Sequence, residues 1–204
     1  EPMFTDKPDN ERIGASDEAP LFLFNSSSLM ISKNTSFKLT GIRFQTVSHS
    51  ESFTIALISD SEQSLSIRGC SFVGVQIWLK GDTTSSKQLV EQCDMRGMIG
   101  GKNLQPLICT ERGGVNRLFN RNQIHDSDYG GVDIKSNDRS TFSSNSIFNF
   151  TGQMLALYVR KEANPLLSNN KFFDNTSSIY IDDAFGRYVE NRFERDSITS
   201  VNVL

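Results

Sequence analysis

Cysteine is scarce in this chain of 204 residues, with only Cys70, Cys93 and Cys109. Three widely spaced cysteines provide neither a disulfide framework nor a zinc site. No run approaches 18 apolar residues, so no segment is long enough to span a bilayer as a helix. The stretch Leu21–Phe24 is too short for a signal-peptide core. Basic residues are not in surplus: 21 Lys and Arg stand against 24 Asp and Glu, a net charge of -3. That balance argues against a nucleic-acid partner. No stretch of 12 or more residues carries a 3.6-residue amphipathic pattern, so long surface helices are not expected. What the chain does have is phenylalanine, 15 residues against four Tyr and one Trp. That much apolar aromatic content argues for a packed core rather than disorder.

A repeat organises the rest. An Asn, Cys or Ile is followed two positions later by a large apolar residue. The pairs are Ile42/Phe44, Cys70/Phe72, Cys93/Met95, Asn122/Ile124, Asn145/Ile147, Asn170/Phe172 and Asn191/Phe193. Their spacings are 28, 23, 29, 23, 25 and 21 residues. Each repeat also holds a run of alternating apolar residues, such as Val75–Leu79, Val132–Ile134, Leu155–Val159, Ile179–Ile181 and Val201–Val203. Period-two alternation predicts short strands with one face buried. A single turn of this length cannot bury its apolar face, whereas stacked turns share one continuous core. The expected fold is therefore all-β: a single-domain parallel β-helix of about seven rungs of roughly 25 residues. Residues 1–20, polar and carrying Pro2, Pro8 and Pro20, are expected to form an irregular tail or cap, with the β-helix domain over 21–204. The chain starts without Met and stops inside an alternating run, and so reads as a mature form or a piece of a longer protein.

Asparagine at one phase has a structural meaning. At a sharp corner it tolerates left-handed backbone angles. Stacked inward, each amide can bond the next, so Asn122, Asn145, Asn170 and Asn191 are expected to form a ladder. Cys93, Cys70 and Ile42 continue that stack without amides, the two cysteines as buried small side chains or, less simply, as a disulfide.

The runs Ala163–Phe172, Ser178–Ile181 and Gly186–Phe193, with Asn122–Asp126 and Gly130–Lys135 as a further copy, resemble the repeats of right-handed β-helix proteins of the pectate-lyase-like kind. They are most similar to the CASH-type repeats of F-box and periplasmic accessory proteins. That resemblance implies the fold strongly, and it is compatible with lyases, hydrolases, epimerases and non-enzymatic recognition modules. The catalytic patterns of the enzymatic relatives are incomplete. Asp182-Asp183 is present without a G-H-G, and His49 and His125 lie outside any such context. Asp126, Asp128 and Asp133, with Arg160 one rung on, fall short of a calcium-lyase site because Lys135 and Tyr158 occupy phases where acids are wanted. If the chain were an enzyme, Asp133, Asp182, Asp183 and Arg160 would carry the chemistry. The preferred expectation is none: no catalytic residue, no metal and no cofactor.

Aligned at their inward residues, the alternating runs stack their outward ones. Asp133, Tyr158, Tyr180 and Asn202 share one phase, and Lys135, Arg160 and Asp182 the next. Trp78 and Lys80 extend this face N-terminally. Aromatic rings pack against sugar C–H groups, and flanking charges bond hydroxyls or a uronate. Trp78, Lys80, Asp133, Lys135, Tyr158, Arg160, Tyr180 and Asp182 are thus the candidate ligand-binding residues, for a glycan or a protein partner. A carbohydrate-active enzyme or a structural surface rod are the alternatives. Two weaker signals complete the sequence. Gly97–Lys102 lacks the Ser or Thr that a phosphate loop requires, Asn103 standing there instead. Sequons at Asn25, Asn34, Asn149 and Asn175 permit glycosylation without selecting a secreted, periplasmic or cytoplasmic setting.

Overall fold

The computed structural model describes residues 13–24, 29–31, 35–47, 56–59, 63–81, 86–97, 105–112, 114–151 and 155–203. Asn25, Asn34, His49 and residues 98–104 lie outside the described residues. Short parallel strands, three to five residues each, recur in a fixed cycle around three sheets, and no helix occurs among the described residues. Sheet A has eight strands from Leu21–Phe24 to Arg192–Glu194. Sheet B has eight, from Leu29–Ile31 to Thr199–Val203. Sheet C has seven, from Phe37–Thr40 to Arg187–Val189. The seven Asn/Cys/Ile pairs open seven of the sheet A strands, and Leu21–Phe24 adds an eighth ahead of them.

The strands stay short because every rung must turn three corners. A left-handed residue sits at each kind of corner. Before the pair stand Gln92, Arg121, Ser144, Asn169 and Glu190; after sheet A stand Asp126, Asn149, Asp174 and Arg195; after sheet B stand Arg112, Asn137, Glu162 and Asp183. The expectation that the ladder asparagines themselves take the left-handed angles is thereby corrected. The residue immediately before each one does so, which swings the asparagine inward. Gly41 and Gly69 fill that corner in the N-terminal rungs, where φ is +62° and +55°. Glycine has no Cβ to clash there.

Inside, one apolar cluster runs the length of the rod. In sheet A the inward column includes Phe44, Phe72, Met95, Ile124, Ile147 and Phe172, all buried. Flat rings stack along it, Phe44 on Phe72 at 4.9 Å and Phe172 on Phe193 at 5.1 Å. Each such side chain removed from water contributes about 1.5–3 kcal/mol. The amide ladder lies beside this column. Asn122 donates both its backbone N–H and its Nδ2 to Asn145 Oδ1, each at 3.0 Å. Asn145 does the same to Asn170, and Asn170 to Asn191. Every Nδ2 also reaches a sheet C carbonyl, from Val90, Phe119, Phe142 or Leu167. Cys93 joins through its backbone N–H, which donates to Asn122 Oδ1 at 3.0 Å. Cys70 and Cys93 are buried free thiols. A shorter second ladder occupies the next corner. Asn175 Oδ1 accepts from Phe150 N–H, and Asp196 accepts from Asn175 N–H and Ser178 Oγ. Asn175 is buried, so that sequon is not presented to solvent.

One buried charge pair ties rungs together. Arg117 is wholly buried and meets Asp138 at 3.1 Å, with both side chains sealed from solvent. Its remaining donors reach Gln88 Oε1 and the carbonyls of Leu79, Glu111 and Gly81. Such satisfaction is what an ion pair at this depth requires.

Candidate functional site

The outer face of sheet B brings the candidate residues into register. Trp78, Cys109, Asp133, Tyr158, Tyr180 and Asn202 are successive cross-strand partners. Immediately beyond the strands a second row runs Lys80, Glu111, Lys135, Arg160 and Asp182. Backbone N–H groups of the last four bond to Leu79, Thr110, Ile134 and Val159 on the preceding rung. Cys109 and Glu111 are members of this face that sequence alignment did not place. Their phase is hidden in the sequence because the Cys93 to Asn122 interval, 29 residues, is the longest of the six.

The charges on this face are organised in pairs across rungs. Arg160 forms two bonds to Asp133, Nε at 2.6 Å and Nη2 at 3.0 Å. This clamp raises the Arg160 pKa, and fork geometry of this kind is the strong form of a charge-assisted bond. The same guanidinium lies 4.6 Å from the Tyr158 ring centre. Tyr158 in turn donates its hydroxyl to Asp182 Oδ2 at 3.0 Å. Burial, then that acceptor, raise the Tyr158 pKa, so the phenol stays neutral. Tyr158 and Tyr180 meet edge to face at 5.3 Å and 85°.

Further along the rod, Trp78 lies beside two ammonium groups. Lys80 Nζ is 3.6 Å from the ring centre and Lys135 Nζ is 4.5 Å. Lys135 belongs two rungs away, so the indole leans across the small Cys109 between them. Burial, followed by the Asp133 charge, pushes the Cys109 thiol up to about 12, which keeps it protonated and unreactive. Trp78 Nε1 is buried without a hydrogen-bond acceptor. Lys135 also faces Glu111 at 3.9 Å. A groove of about 510 Å³ opens where this row turns the corner, between Arg112, Lys135, Asn137 and Arg160.

Other candidates fall elsewhere. Asp183 follows Asp182 directly but occupies a left-handed corner, with a side chain 74% exposed and 3.5 Å from Lys161. The doublet is therefore split, one carboxylate on the sheet and one at the turn. Asp126 lies at the corner after sheet A, not beside Asp133. Its carboxylate is 2.9 Å from His125 Nδ1, while His125 Nε2 meets Asp94 at 2.7 Å. This belongs to a second outward column, overlooked in the sequence, in which His125, Phe148 and Phe173 stack with centroids 4.7 and 4.5 Å apart. Its signal was available: each of these residues follows a member of the repeat pair. Among the described residues no group of three His, Cys, Asp or Glu side chains could hold a metal ion. No described helix is long and apolar enough to cross a membrane.

Chemically, the sheet B face offers aromatic edges and faces, three cations and three carboxylates on a rigid parallel lattice. Asp133 and Asp182 each already accept a neighbour's hydrogen bond. Comparison with curated proteins and with solved structures gave no match. The description of a right-handed β-helix region, however, matches residues 88–203, more than half of the chain. That span contains the whole amide ladder and the tyrosine pair, and the chain belongs to the right-handed β-helix family.

Proposed function

We propose that this β-helix is a non-enzymatic recognition module that holds a glycan along the outer face of sheet B. The observation that carries this reading is the outward Tyr158–Tyr180 pair, bracketed by the Arg160–Asp133 clamp and by Asp182. Rings on adjacent rungs give sugar C–H groups an apolar platform, and the bracketing groups supply donors and acceptors for hydroxyls. Rungs spaced by about 4.8 Å are close to the repeat of an extended chain of small units lying along the rod. Trp78 with Lys80 and Lys135 continues the same surface, so a ligand of several units has contacts at both ends.

Catalysis is the weaker reading because the carboxylates on this face are engaged, Glu111 by Lys135 at 3.9 Å. A general acid or base must be free to exchange a proton with substrate. Asp133 is locked by a bidentate arginine, and Asp182 accepts the Tyr158 hydroxyl. A glycan array on the purified chain, paired with a cleavage assay on polymeric uronides, tests the reading. Binding without turnover is expected. Turnover would replace the recognition module by a carbohydrate-active enzyme, and silence in both assays would remove glycans and turn attention to a protein partner or a structural rod.

A further inference from the structure

A second surface lies on sheet C, on a different side of the rod, and owes nothing to the tyrosine face. Lys38, Ser66 and Leu89 are direct cross-strand neighbours pointing outward on three successive rungs. Ser66 is much shorter than the residues on either side, and the gap it leaves is a groove of about 440 Å³. Phe37 and Leu89 form its apolar part, and Leu89 sits at the bottom with only 5% of its surface exposed. Lys38, Arg68 and Lys87 stand around it. Arg68 faces Glu91 at 3.5 Å with half its side chain exposed. Lys38 and Lys87 are exposed and have no ionic partner among the described residues. Among the described residues, three cations against one acid reverse, locally, the sign of a chain whose net charge is -3.

We propose that this groove docks an extended acidic segment of a partner protein, with one apolar side chain inserted above Leu89 and carboxylates on Lys38 and Lys87. A recess with a buried apolar floor accepts a side chain, whereas a membrane surface calls for apolar groups that protrude. Nucleic acid calls for exposed rings or a longer cationic track, and Phe37 is only half-exposed at the groove wall. Spacing defines the partner further. Lys38 and Lys87 border rungs two steps apart, and Lys87 stands two residues before Leu89, the register partner of Lys38, so the two lie about 12 Å apart, while an extended peptide advances about 3.3 Å per residue. The segment therefore carries acids about three to four residues apart, with the apolar residue between them.

A fluorescein-labelled octapeptide with glutamates in that spacing around a central leucine is the probe, read by anisotropy against its lysine-for-glutamate counterpart. The acidic peptide is expected to bind and the basic one not. The Lys38→Glu/Lys87→Glu variant, altered only at exposed positions, should weaken binding by at least about tenfold with unchanged melting. Ser66→Leu, which fills the groove and leaves every charge in place, should also abolish binding. Tyr158→Ala/Tyr180→Ala should bind the peptide like the parent, which separates this surface from the glycan face. No binding of the acidic peptide, equal binding of both peptides, or binding that survives Ser66→Leu would each overturn the proposal. Retention on phosphatidylserine vesicles without peptide binding would do so too, in favour of a membrane.

Discussion

The N-terminal and C-terminal rungs share one backbone path and differ most at the column that holds the ladder. Before the seam between Cys93 and Asn122 that column holds Ile42, Cys70 and Cys93; after it come Asn122, Asn145, Asn170 and Asn191. The left-handed corner residue changes one rung earlier, at Cys93. Gly41 and Gly69 serve the Ile42 and Cys70 rungs, whereas Gln92, Arg121, Ser144, Asn169 and Glu190 serve the later ones, Cys93 N–H already donating to the first ladder amide, Asn122. A non-glycine residue in that conformation costs about 1–2 kcal/mol. The later rungs sustain it because each ladder amide bonds two neighbours and so over-determines the corner. At Ile42 and Cys70, which bond no ladder amide, glycine removes the strain instead. The β-helix thus tolerates two solutions to one geometric problem, and the family match over residues 88–203 contains the whole amide solution.

The largest expected effect lies at the seam. Arg117 reaches Gln88, Leu79 and Gly81 on the thiol side and Asp138 on the amide side. Arg117→Met should cost about 3–5 kcal/mol in urea unfolding, because Asp138 is left charged and buried. Loss of the arginine without such a penalty would mean the two sections are not joined through it. Next comes the ladder. Asn170→Ala should cost about 1–3 kcal/mol, since Asn145 and Phe142 keep buried groups without partners. Cys70→Ala, in the same column, should cost only about 1 kcal/mol, the loss of one apolar atom. Equal costs at the two positions would erase the distinction between the sections. Corners sharpen it further: Gly69→Ala should destabilise by roughly 1 kcal/mol. Ser144→Ala, already left-handed with a Cβ, should change stability by less than about 0.5 kcal/mol.

The smallest effect is pH-dependent and again falls on the seam. His125 in the Asn122 rung bonds Asp94 in the Cys93 rung. Burial alone would lower its pKa, but hydrogen bonds and charge from Asp94 and Asp126 outweigh it, and the net shift is upward from 6.5. Arg96 also faces this cluster, acting on Asp126. A raised folded pKa means that the stabilisation is fully present below pH 6.5 and is lost as pH rises through the folded value. The urea midpoint difference between the parent and His125→Gln should therefore shrink on going from pH 6 upward. A difference that grows with pH would reverse the assignment.

How far the sequence foretold this structure depends on periodicity. Residues that recur at the repeat spacing were legible: the inward Phe172, the ladder asparagines, and the outward Tyr158, Arg160, Tyr180 and Asp182. Features that occur once were not. Arg117 contacts residues 6 to 38 positions away, in an arrangement that no other rung repeats. Cys109 was hidden by the long Cys93 to Asn122 interval. The left-handed residues of the ladder corner vary from Ser to Arg to Glu, so only the asparagine after them carries a sequence signal. The His125–Phe148–Phe173 column is periodic too, one position beyond the apolar member of each pair, but its mix of imidazole and phenyl rings gives no single-residue signature.

The central claim is that the ladder holds the fold while the tyrosine face is free to recognise. The most direct test is the Tyr158→Ala/Tyr180→Ala variant, with glycan affinity and unfolding measured on the same preparation. The edge-to-face pair should be worth about 1 kcal/mol of stability, while affinity for the glycan selected on the array should fall by about 2 kcal/mol, roughly thirtyfold. A variant that loses several kcal/mol of stability yet binds as the parent does would make those rings part of the scaffold and contradict the account.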